Sequence, residues 1–187
     1  YYEVEFQYTS DGAVGGIIGF TCDGVGAAVS RCVNNGNITV TGGADNVGGI
    51  VGQTSTDTAG SYVDIAYCAN KGDLTIYKLE GERAAGIIGY VKRGSINYCY
   101  NLGSVKAYSD MGSTVSRYGY GTAFGIFGYA NLSASNTLEV TYCYNASPSP
   151  LEAEICVVRN ASHGTFRNFY MKGREEYELS LNSGNVS

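Results

Sequence analysis

The sequence predicts an all-β fold, a right-handed parallel β-helix of about four long three-strand coils with a C-terminal cap. Three observations predict it. A glycine-bracketed apolar segment recurs as Gly16-Ile17-Ile18-Gly19-Phe20, Gly49-Ile50-Val51-Gly52-Gln53, Gly86-Ile87-Ile88-Gly89-Tyr90 and Gly125-Ile126-Phe127-Gly128-Tyr129, at spacings of 33, 37 and 39 residues. Each is followed by a Cys-x-Asn segment, at Cys32-Val33-Asn34, Cys68-Ala69-Asn70, Cys99-Tyr100-Asn101 and Cys143-Tyr144-Asn145. A third segment alternates, with Ile38/Val40, Leu74/Ile76 and Val105/Ala107 on one side and Thr39, Thr75 and Lys106 on the other, which is strand periodicity. A unit of this length with no helical period cannot bury its own apolar face, so it must stack on its neighbours.

In chain order, Tyr1–Tyr8 alternates Val4, Phe6 and Tyr8 with polar residues and reads as a strand closing the first coil. The four repeats begin at about residues 12, 46, 83 and 122 and form a repeat domain over residues 1–150. Within each, the flanking glycines serve corners that need positive φ or close backbone approach. Val29, Ile65, Ile96 and Val140 stand three residues before the repeated Cys, and Gly36, Gly72 and Gly103 mark the turn after the first three Asn positions. The fourth repeat has Ala146-Ser147-Pro148 instead, and the repeat pattern is lost after Pro148 and Pro150. Residues 151–187 read as a cap, with strands at Glu154–Val158 and Thr165–Tyr170 and a short amphipathic helix at Met171–Asn182. An uncapped stack would offer a pairing template. Length varies between the first and second segments and between coils, most of all in Tyr108–Thr122, so those edges carry what is particular to this chain.

Composition agrees with short strands and tight turns: 27 glycines, 2 prolines, 17 tyrosines, no tryptophan and 44% apolar residues. The net charge is −5 and no basic cluster exceeds a pair such as Lys92-Arg93, so nucleic acid is not an expected partner. The apolar runs are too short for membrane insertion. With neither an initiator Met nor a signal-peptide pattern, the chain is expected to be part of a longer protein.

Cys32, Cys68, Cys99 and Cys143 share one repeat position and should stack in a line of buried thiols. A line is not the tetrahedron zinc requires, and in-register spacing of roughly 4.8 Å exceeds what a disulfide prefers. Cys22, in a variable loop, and Cys156, in the cap, are less constrained. Asn34, Asn70, Asn101 and Asn145 should form an amide ladder beside the turn. Asn145 is also one of five glycosylation sequons, with Asn37, Asn131, Asn160 and Asn185.

Flanking the Cys position with opposite parity are Arg31, Tyr67, Tyr98 and Tyr142, and on the other side Val33, Ala69, Tyr100 and Tyr144. If Cys and Asn point inward, these form an outward stripe of stacked tyrosines. The inward Val29, Ile65, Ile96 and Val140 conflict with that parity unless the strand bends or bulges. Two readings of the stripe stand. A tyrosine platform suits sugar rings or a protein partner, and a tyrosine ladder also stabilises a sheet or packs under a cap. The loop Tyr108–Thr122 adds Tyr108, Arg117, Tyr118 and Tyr120 in a Gly/Ser/Tyr-rich setting, readable as a recognition loop or as a disordered insertion.

No catalytic set emerges. His163 is the single histidine, which rules out HExxH or a His-ligated metal site within this chain. The acids are scattered over loops, and Glu80, Glu82 and Arg83 are explained equally by surface ion pairing. No cofactor is expected.

The Gly-Ile-Ile/Val-Gly segment followed by Cys-x-Asn and Gly resembles the GLUG repeat of large secreted or surface proteins of bacteria, including stalk regions of some IgA-specific metallopeptidases. The resemblance covers about Gly12 to Asn145, and Met171 to Asn182 resembles the short segment that often follows such repeats. The peptidase zinc motif is absent, so protease activity does not carry over. The resemblance implies a secreted or cell-surface module. The resulting expectation is a non-enzymatic adhesion module binding a glycan or a host protein such as mucin or immunoglobulin, through Tyr67, Tyr98, Tyr100, Tyr142, Tyr144 and the Tyr108–Thr122 loop. The alternatives are a purely structural stalk beside neighbouring domains, and a fragment of a β-helix polysaccharide lyase or glycosidase.

Overall fold

A computed structural model describes residues 5–6, 12–21, 24, 26–41, 44–54, 61–77, 83–108, 122–147, 157–159, 163–168 and 170–171. These residues are all-β, with almost no helix, and their strands stack in parallel into five sheets. That arrangement is compatible with a β-solenoid.

The second repeat shows the unit. It contains β7 (Asn46–Gly48), β8 (Val51–Gln53), β9 (Tyr62–Ala66), β10 (Ala69–Asn70) and β11 (Leu74–Ile76). The first has β2 (Ala13–Gly15), β3 (Ile18–Phe20), β4 (Gly26–Ser30), β5 (Val33–Asn34) and β6 (Ile38–Val40). The third follows with β12 (Arg83–Ala85), β13 (Ile88–Val91), β14 (Gly94–Asn97), β15 (Tyr100–Asn101) and β16 (Val105–Ala107), and the fourth with β17 (Thr122–Phe124), β18 (Phe127–Asn131), β19 (Leu138–Thr141) and β20 (Tyr144–Asn145). Each strand pairs with its equivalents in adjacent repeats, giving for example the sheet β17-β12-β7-β2. Registers follow the sequence alignment, as in Asn70↔Asn101 and Leu74↔Val105.

Five short strands in each of the first three repeats, and four in the fourth, replace the expected three, because corners split the first two segments. The Gly49-Ile50 corner divides β7 from β8, and Tyr67-Cys68 divides β9 from β10. At the second corner the backbone turns through the left-handed region, with φ of 55° at Arg31, 57° at Tyr67 and 53° at Tyr98 and Tyr142. That residue adds one outward position, so Ile65 and Cys68 both point inward although three residues apart. The bend required by the sequence parity is therefore present.

The bracketing glycines act by close approach. None of the four pairs has positive φ, contrary to part of the expectation; among the described glycines that φ belongs to Gly24 and Gly94. A Cβ on Gly52 would come 2.8 Å from the backbone N and O of Val14, so β8 and β2 meet backbone to backbone. This contact separates two cores. One holds Val29, Ile50, Ile65, Ile87, Ile96, Phe127 and the Cys position, and the other Ile38, Val47, Leu74, Ile76, Ala84 and Val105.

At the N-terminal end, β1 (Glu5–Phe6) pairs with β6, extending that sheet by one strand. Beyond Pro150 the stacking continues although the sequence signature is lost: β21 (Val157–Arg159) pairs with β18, β22 (Gly164–Arg167) with β19, and β23 (Tyr170–Met171) with β20. The strand expected over Thr165–Tyr170 is thus broken, at Asn168, whose φ of 55° repeats the corner of the earlier repeats. Met171 is in a strand rather than opening a helix, and the remainder of the expected helix lies outside the described residues.

Candidate functional site

The corner between the third and fourth strands of each repeat decides what faces solvent. Its left-handed residue keeps its N–H in the parallel ladder, Tyr67 N donating to Asn97 O and Tyr98 N to Thr141 O, both at 3.1 Å. Its side chain points out while the next residue, Cys, points in. The tyrosines at this position stack: Tyr67 on Tyr98 with ring centroids 5.0 Å apart and planes 6° from parallel, and Tyr98 on Tyr142 at 4.9 Å and 2°. They are about half exposed, at 57%, 47% and 49%. Tyr144 is exposed and Tyr100 half-buried in the neighbouring column, registered together through β15 and β20.

A left-handed backbone costs an L-residue other than Gly or Asn about 1–2 kcal/mol, and an aromatic pair returns about 0.5–1.5 kcal/mol. Three strained tyrosines therefore cost about 3–6 kcal/mol while two stacked pairs return about 1–3, so stacking offsets only part of the strain. Asn168 occupies the same corner in the next stacked segment, so the backbone itself does not need a ring there.

Stacking alters what the stripe offers. Each ring turns its faces toward its neighbours, so ring edges and phenol hydroxyls face solvent. The stacked stripe therefore presents a row of ring edges. Beside this row, on the outer face of the sheet containing β9, β14 and β19, run Asp64, Ser95 and Glu139 in register, with Asn97 and Thr141 nearer the tyrosines. Ser95 Oγ donates to Asp64 Oδ1 at 2.9 Å, and Thr141 Oγ1 donates to Asn97 Oδ1.

Tyr108 does not join this stripe. It stacks on Tyr77, centroids 5.4 Å apart, beyond the strands β11 and β16. Arg117, Tyr118 and Tyr120, with residues 109–121 as a whole, lie outside the described residues, as do Cys22, Cys156, Glu80 and Glu82. Sequence reasoning missed a third aromatic group, Tyr90 on Tyr129 at 5.7 Å, with the Arg83 guanidinium 3.8 Å from the Tyr129 ring centre. The signal was available, since both tyrosines directly follow the bracketed glycine segment.

Behind the stripe lie the two expected ladders. Asn34 Nδ2 donates to Asn70 Oδ1, Asn70 Nδ2 to Asn101 Oδ1 and Asn101 Nδ2 to Asn145 Oδ1, at 2.8–3.0 Å. Their second amide hydrogens close the turn, Asn70 onto Gly72 O and Asn101 onto Gly103 O. Asn145 is buried within this ladder, which leaves no room for a glycan on its amide. Cys68, Cys99 and Cys143 are free and fully buried, and Cys32 is free and partly buried. The Cys99 thiol donates to Asn97 O at 3.3 Å, and its pKa is pushed up to about 12, chiefly by hydrogen bonding with the adjacent Cys143 thiol and also by burial. Cys68 is raised by its Cys99 neighbour and by burial, and Cys32 mainly by burial.

Among the described residues no group of three or more His, Cys, Asp or Glu side chains is arranged to hold a metal ion, and no helix is long and apolar enough to cross a membrane. The chain matches no protein-family model, no curated protein and no solved structure.

Proposed function

We propose that this chain is a non-enzymatic repeat module of a secreted or surface protein of bacteria, a right-handed parallel β-helix of about four main coils that binds a glycan or protein through the Tyr67–Tyr98–Tyr142 stripe. The supporting observation is that this stripe retains half-exposed tyrosines at a strained corner where Asn168 serves equally well for the backbone. Side chains kept at such positions without a clear stability gain are candidates for function. The resemblance to GLUG repeats supports the extracellular setting.

A purely structural stalk is the second reading, favoured by the near-parallel stacking itself. Binding of the purified chain to a mixed panel of glycans, mucins and immunoglobulins separates the two, with Tyr98→Ala/Tyr142→Ala alongside. A specific hit lost in the folded variant is the expected result. A folded chain that binds nothing on the panel returns the stalk.

A further inference from the structure

We infer that the tyrosine stripe takes a neutral, linear β-1,4-linked glycan lying along the stacking axis with about one sugar to each rung, an inference that rests on the recognition role proposed above.

Three features point to this ligand. The first is which part of each ring is free. With planes 2–6° from parallel, the tyrosines cover one another's inner faces, both faces in the case of Tyr98, so the middle ring cannot seat a sugar on its face. What remains is a row of edges and hydroxyls, and a row is read best by a polymer that advances in step with it. A two-fold chain turns alternate sugars over, so like groups meet Tyr67 and Tyr142.

The second is the step. Successive rungs stand 5.0 and 4.9 Å apart. A β-1,4-linked pyranose chain in its extended two-fold form advances by close to one such rung per sugar. A peptide strand advances about 3.3 Å per residue and a polyproline II helix about 3.1 Å, so both fall out of step within the stripe. An α-1,4-linked chain curls away from a straight row.

The third is the chemistry beside the rungs. Asn97 and Ser95 supply uncharged hydrogen-bonding groups, and the exposed carboxylates of Asp64 and Glu139 are acceptors for sugar hydroxyls. Ser95 is oriented by its bond to Asp64, and Asn97 by its bond to Thr141. The same carboxylates, on a chain of net charge −5, repel a polyanionic polymer. A neutral glycan meets no such penalty.

The test is a calorimetric or NMR titration of the whole chain with cello- and chito-oligosaccharides from the monosaccharide to the hexasaccharide. Malto-oligosaccharides and oligomannuronate serve as curved and charged controls. The expected result is no saturable binding of the monosaccharide, affinity that grows with each sugar and levels off once the three rungs are filled, by the tri- to tetrasaccharide, and at least about tenfold weaker binding of both controls. Tyr98→Asn, which suits the left-handed corner, lowers tetrasaccharide affinity about tenfold or more while keeping the native circular dichroism spectrum. Binding independent of length, or equal binding of the curved series, overturns the inference on the unmodified chain, whatever the variant does. Capture of a mucin polypeptide or immunoglobulin through Tyr98, with every oligosaccharide ignored, overturns the glycan and leaves the recognition role standing. No binding in either experiment removes both.

Discussion

Gly86 and Asn101 compete for one space: a Cβ built on Gly86 would lie 2.2 Å from Cγ of Asn101. The same holds for Gly49 with Asn70 and Gly125 with Asn145, at 2.4 Å each. The first glycine of the bracketed segment is thus explained by the amide ladder in the Cys-x-Asn segment together with the carbonyl of the equivalent glycine in the next repeat, 2.3 Å from the same Cβ at Gly86. Two motifs 15 to 21 residues apart in the sequence are two sides of one contact.

Gly86→Ala is expected to cost about 3 kcal/mol, since the overpacked site must displace an amide that bonds to both neighbours. In an Asn101→Ala background the cost should fall only in part, because the Gly125 carbonyl oxygen at 2.3 Å and the Cβ at position 101 at 2.6 Å stay in place. Denaturant midpoints of the single and double variants give the coupling, and additive effects would contradict the shared-space account.

The amide ladder should be weaker at its ends than in its middle. Asn101 bonds to Asn70, Asn145 and Gly103, whereas Asn34 bonds to Asn70 and the Gly36 N–H. Asn101→Ala strands buried partners on both sides, and a loss of about 3–5 kcal/mol is expected. Asn34→Ala should lose less than half of that, and equal losses by urea unfolding would argue that the ladder does not act as one.

The thiol line makes the fold sensitive to alkali. Folding holds Cys99 protonated up to about 12, against an ordinary value of 9.0. A raised folded pKa contributes stability that is complete below pH 9 and is lost as pH climbs from 9 toward 12. The slope is about 1.4 kcal/mol per pH unit for each such thiol. Thermal melts from pH 8 to 11 should show Tm falling above pH 9, and Cys99→Ala should flatten the fall. A wild-type Tm constant over that range would contradict the shift.

At position 98, backbone and ring pull in opposite directions. Tyr98→Asn relieves the left-handed strain and loses two stacked pairs, so stability should stay within about 1 kcal/mol of the parent. Tyr98→Ala loses the pairs without relief and should be the less stable variant. The reverse order in chemical denaturation would show that the φ of 53° carries no strain.

Period and parity were legible in the chain alone. Four copies of one segment and of Cys-x-Asn fix stacking in register, because identical positions must then fall in columns, and from this the Asn and Cys ladders and the outward tyrosines follow. Even the bend was implied, since Val29 and Cys32 cannot both point inward along an unbroken strand. Tertiary structure decided the rest. It split two segments at corners, because the left-handed φ at Tyr67 and Tyr98 arises from closing the turn and no local signal at a tyrosine announces it. It carried the stack past Pro150, where backbone pairing needs no shared side chains. It also set the geometry of the tyrosine stack, with the planes of Tyr67, Tyr98 and Tyr142 only 2–6° from parallel, since a rung spacing near 5 Å leaves each ring its neighbour as the nearest flat surface.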